Sequence, residues 1–135
     1  MSITRALCLI PLLFAVASVA HAQPVLNAMT AITPGQWQLQ VPGEPARTMC
    51  VANPEALFQI RHRAGACTRL VIADEKASAT MHYSCPGTGW GRTTVRVSTP
   101  ASVRIATQGI ADNAPFDFTA QARRIGDCPA RSASR

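Results

Sequence analysis

The sequence predicts a mainly β domain. It is expected to be an antiparallel meander of about seven short strands, curled into a half-barrel or a sandwich, with one short helix and disulfide staples. Three observations lead there. Short runs of alternating polar and apolar residues recur, as in Gln36-Trp37-Gln38-Leu39-Gln40-Val41. Pro/Gly and Asn/Asp clusters separate the runs at short intervals. Cys67 and Cys85 bracket a hairpin-like segment. With its turn centred on Lys76 they fall opposite one another, close enough for a disulfide with little strain.

In chain order, Arg5 supplies a positive n-region, Ala6 to Ala20 is almost wholly apolar, and Ala20-His21-Ala22 fits the small-x-small cleavage pattern. This predicts a secretory signal peptide over residues 1–22, cut before Gln23. The competing reading is a retained anchor. The apolar run is shorter than the roughly 20 residues that span a bilayer. Cleavage takes 22 of the 135 residues and leaves 113, a single domain over residues 23–128 with a polar tail at 129–135 expected to be disordered. One arginine leaves too, so the formal charge falls from +6 to +5. The remaining positive charge is mostly arginine and is dispersed along the chain. It suits loose contact with anionic lipid or polysaccharide head groups, and no basic stripe interleaved with aromatics argues for nucleic acid.

Residues 23–32 suit a short helix or a loose arm. Thr33-Pro34-Gly35 turns the chain into the first strand, with Trp37, Leu39 and Val41 inward. Pro42-Gly43-Glu44-Pro45 ends it, and Arg47 to Val51 forms a second strand carrying Cys50. Asn53-Pro54-Glu55 is a helix start: a capping side chain, a proline at the first position and an acid at the positive dipole end. About two and a half turns are expected. Leu57, Phe58 and Ile60 would face inward, Arg61, His62 and Arg63 would lie near the far end, and Ala64-Gly65 would stop the helix. The hairpin follows. Its alternation is imperfect, because Leu70 and Ile72 would share a face with His82 and Thr80, which implies a slipped register or burial on both faces. Cys85-Pro-Gly-Thr-Gly-Trp-Gly-Arg92 lacks the Gly-Lys-Ser/Thr ending of a phosphate loop and reads as a bulge or tight corner beside Trp90. Strands over Arg92–Ser98 and Ser102–Thr107 come next, with Val95, Val97, Val103 and Ile105 inward. Gln108 to Pro115 reads as a loop, and a last strand buries Phe116, Phe118, Ala120 and Ala122.

Four cysteines remain after cleavage, and an even count in an exported chain implies disulfides. Three pairings exist. The hairpin favours Cys67–Cys85 and leaves Cys50–Cys128. Zinc is the rival reading, but no two of these cysteines lie within four residues and His62 and His82 lack a metal-like spacing.

Pro34-Gly35-x-Trp37, the spaced cysteines and Arg123-Arg124-Ile125-Gly126-Asp127-Cys128-Pro129, taken with the leader, resemble a family of small exported proteins of Gram-negative bacteria, domain of unknown function 3617. The resemblance implies a periplasmic β-rich domain with no assigned activity and brings no catalytic residues.

Catalytic patterns are sparse. No Gly-x-Ser-x-Gly element is present, no Cys-x-x-Cys exists for redox exchange, and none of the seven carboxylates stands out as half of an acid pair. No cofactor or metal is expected, and an enzyme is the less favoured reading. Two functions stay open. One is a binding or envelope-associated module holding a small apolar ligand or an anionic envelope component, with Trp37, Trp90, Phe116 and Phe118 as candidate lining. The other is a small hydrolase using His82 or His62.

Overall fold

A computed structural model describes residues 25–62 and 66–130. The expected signal peptide, the Ala64-Gly65 helix stop and residues 131–135 of the tail lie outside the described residues. Seven strands form one open antiparallel sheet: β1 (Gly35–Gln40), β2 (Arg47–Val51), β3 (Thr68–Asp74), β4 (Ser78–Cys85), β5 (Gly89–Thr99), β6 (Ser102–Ala111) and β7 (Ala114–Gly126). Their order across the sheet is β2-β1-β7-β6-β5-β4-β3, so β1 pairs with β7 and the rest is a meander. The strands do not divide into the two layers of a sandwich.

One sheet face carries the core. Trp37, Leu39, Tyr83, Val95, Val103 and Ile105 are fully buried on it. Two short helical pieces cover it. The single turn α1 (Asn27–Thr30) packs on β4, and a 3-10 helix (Pro54–Gln59) packs on β2, β5 and β6. The segment that suited a helix or an arm is thus α1 and its flanks, anchored by buried Leu26, Ala28, Met29 and Ile32.

The second helix is shorter and tighter than the sequence predicts. Asn53 caps it as expected, accepting from the Glu55 N–H at 3.0 Å. In an α-helix the Phe58 carbonyl would accept from the N–H of His62. Instead the Thr93 hydroxyl donates to that carbonyl at 2.8 Å, and the His62 N–H turns to Gln59. A hydrogen bond from β5 thus ties down the end of the 3-10 helix. Leu57, Phe58 and Ile60 are buried, but His62 lies beyond the end of the helix and is buried too.

Residues 108–115 also differ from expectation. They are not a loop, because β6 and β7 run on until only Asp112-Asn113 lies between the paired Ala111 and Ala114. Both turn residues have positive φ, 50° and 64°, the pattern of a type I′ hairpin turn that Asp and Asn tolerate.

The disulfides are Cys67–Cys85 and Cys50–Cys128, with Cα separations of 4.2 and 5.4 Å. They indicate an oxidising, extracytoplasmic environment. Along the β3–β4 hairpin Thr68 faces Ser84 and Val71 faces Met81, the register centred on Lys76. A register shift at Ile72 then puts Ala73 opposite Thr80. So the register does slip, by one bulged residue. The apolar run is not buried on both faces but exposed: Leu70 by 62%, Val71 by 46% and Ile72 by 44%. β3 is an edge strand and nothing among the described residues covers it.

Candidate functional site

The side chains singled out as ligand-lining are dispersed. Trp37 is wholly buried and donates its indole N–H to the Thr33 carbonyl at 3.1 Å. It lies opposite Arg124 of β7, eight residues along that strand from Phe116, roughly 25 Å at strand spacing. Phe116 and Phe118 stay together, their ring centres 6.0 Å apart, on the core face. The Arg61 guanidinium lies over both rings, 5.9 and 5.6 Å from their centres, while bridging to Glu44 at 3.3 Å. Trp90 is on the opposite face of the sheet, since the residues flanking it in β5 are Gly89 and the buried Gly91. It is 38% exposed and stacks on His82 at 5.5 Å.

The two histidines are also apart. His62 is buried inside. Its Nε2 donates to the Thr88 carbonyl at 3.3 Å, which leaves Nδ1, 2.9 Å from the Tyr83 oxygen, to accept from that hydroxyl. The arrangement ties the end of the 3-10 helix to β4 and to the β4–β5 turn. Burial pushes the Tyr83 phenol up to about 12. Tyr83 in turn lies across Gly91 of β5, where a Cβ would come within 2.4 Å of the ring. The glycine-rich stretch is therefore the floor for a buried tyrosine. His82 faces outward between Leu70 and Arg92 and stacks on Trp90. Among the described residues no group of three or more His, Cys, Asp and Glu is placed to hold a metal ion.

Among the described residues, polar and charged side chains collect on the outer face. Every second residue of β4 to β7 points there, and the register sets them in rows. Ser84, Trp90, Ile110 and Pro115 form the row nearest the β4–β5 and β6–β7 turns, and His82, Arg92, Gln108 and Asp117 form the next. Thr80, Thr94, Ala106 and Thr119 follow, with Thr80 and Thr94 hydroxyls 2.8 Å apart. In the row after that, Arg96 directly faces Arg104, which faces Gln121, which faces Gln40. Gln38, Gln40, Gln121 and Arg123 line a shallow depression beside it.

The charges on this face are not neutralised. Glu44, Glu55 and Asp127 are committed to Arg61, Arg69 and Arg124, whereas exposed Arg92, Arg96 and Arg104 have no ion pair among the described residues. Like charges directly opposite on neighbouring strands destabilise a sheet. The Arg96–Arg104 pair is therefore a place where an external anion lowers the energy. Sequence reading missed it because residues 92, 96 and 104 look scattered in one dimension. The common parity of Trp90, Arg92, Thr94 and Arg96 was the available signal.

No curated protein and no solved structure matches the chain. A family model does match, over residues 32–128, which covers the whole sheet and both disulfides. The chain belongs to the family described as Protein of unknown function (DUF3617).

Proposed function

We propose that this protein is a non-enzymatic binding module of the bacterial envelope, exported to the periplasm after loss of residues 1–22, and that it holds an anionic envelope component on the outer face of its sheet. The observation that carries the reading is the directly opposed, exposed pair Arg96 and Arg104 with no carboxylate partner. Arginine suits the role, because its planar fork matches carboxylate and phosphate oxygens and stays charged at any physiological pH. The disulfides support export, since such bonds persist in oxidising compartments.

The test is retention of the purified protein by anionic envelope material at low and high ionic strength. Wild type is expected to bind at low salt and release at high salt, and Arg96→Gln with Arg104→Gln is expected to lose retention while keeping its fold. Absence of binding to any anionic material at low salt would overturn the reading. Sequencing the amino terminus of periplasmic protein tests export, with Gln23 expected first.

A further inference from the structure

Resting on that reading, we infer that the anionic component is the surface of a phospholipid bilayer, with the outer face lying flat on it and the Trp90–Ile110–Pro115 row dipping into the interface. The order of the rows carries this. Beyond Ser84, the row nearest the turns is apolar: exposed Trp90, partly exposed Ile110 and exposed Pro115 on three adjacent strands. At strand spacing it is about 10 Å wide. Arg92 follows two residues along β5, and Arg96 with Arg104 four residues beyond that. Positive charge thus begins roughly 7 Å from the tryptophan and extends to about 20 Å. A soluble acidic polysaccharide would use the arginines and can stack a sugar ring on Trp90, but it has no acyl region to receive Ile110 and Pro115. A bilayer uses both. Tryptophan rings settle at the boundary between head groups and acyl chains, and guanidinium groups reach the phosphates.

Acidic residues are few here. Asp117 faces Gln108 on the same sheet face, and Asp112 lies in the β6–β7 turn. The three free arginines outnumber them. The turn end is also a firm platform, because the Asp112 N–H donates to the Thr88 carbonyl at 3.1 Å and joins the two turns that flank the apolar row. The sheet face is open, so it meets a plane rather than enclosing a chain.

The experiment is co-sedimentation of the full mature chain with vesicles of phosphatidylglycerol and phosphatidylcholine, against phosphatidylcholine alone, with dextran sulfate as a soluble polyanion. Tryptophan emission is read in parallel, with brominated lipid as quencher. Binding is expected only with phosphatidylglycerol, with a blue shift and quenching that vanish in Trp90→Phe, because buried Trp37 is out of reach. Each arginine near an anionic surface is worth about fivefold in affinity, so Arg96→Gln with Arg104→Gln should bind about 25-fold more weakly. Circular dichroism confirms that both variants are folded. Binding to dextran sulfate without vesicle binding would overturn the bilayer assignment and leave the anion reading standing. Binding to neither would overturn both. Vesicle binding with no change at Trp90 would overturn the insertion of the apolar row.

Discussion

Along β5, Val95 is wholly buried while Arg96 beside it is exposed and faces a second arginine across the strand gap. The contrast holds for the two faces of the sheet as a whole. The inner one is closed by α1, the 3-10 helix and a buried His62–Tyr83 pair. The outer one is rows of Thr, Gln and Arg with an apolar end. Because a strand alternates its side chains, stability and recognition are assigned to successive residues of the same backbone. Substitutions one position apart should therefore have readouts that do not mix.

The largest expected effect is on the inner face. Trp37→Ala should lower unfolding free energy by about 3–5 kcal/mol in a denaturant titration, through the cavity it leaves. Arg96→Ala should shift it by under about 0.5 kcal/mol. Comparable losses from the two would break the contrast. Next comes the buried phenol. Its folded-state value, about 12, lies above its ordinary 10.0, so its contribution is complete below pH 10 and is lost as pH rises towards 12. Stability measured across that window should fall by about 2 kcal/mol, and Tyr83→Phe should flatten the slope. Gly91→Ala forces a methyl into the Tyr83 ring and should cost about 1–3 kcal/mol by the same titration. Smallest, and opposite in sign, Arg104→Gln relieves the like-charge pair and should raise the thermal midpoint slightly, equivalent to about 0.2–0.5 kcal/mol at low salt. Losing stability on that change would mean the pair is held by something other than solvent.

The legible parts of the sequence were those with one covered face. Trp37-x-Leu39-x-Val41 and Val103-x-Ile105 alternate because one side is buried, and they are buried as expected. The cysteines of the β3–β4 hairpin mark its register, with Cys67 bridged to Cys85 and Thr68 opposite Ser84. Three segments misled for separate reasons. Gly109 and Asp112-Asn113 resemble one continuous loop. Yet Gly109 is a strand residue, kept small because a Cβ would meet the Trp90 carbonyl at 2.1 Å. The segment after Asn53 has local helix signals, but its end is tied to Thr93, thirty-five residues from Phe58. Leu70 to Ile72 carries the composition of a buried strand, and only its place at the sheet edge leaves it in solvent. The arginine face was the least legible, because it exists only once β5, β6 and β7 are side by side.

The β1–β7 pairing has a consequence for when the molecule can assemble. In strand pairing the β1–β2 hairpin joins the β3–β6 meander only through β7, whose contacts with β1 reach across more than eighty positions of sequence. Until that strand is available, a chain made from its amino end holds two pieces of sheet with no strand pairing between them, and Cys50 has no Cys128 to meet. Such late, distant closure is slow for its size. The nascent polypeptide therefore stays pliable, and acquires its permanent shape in one concluding step.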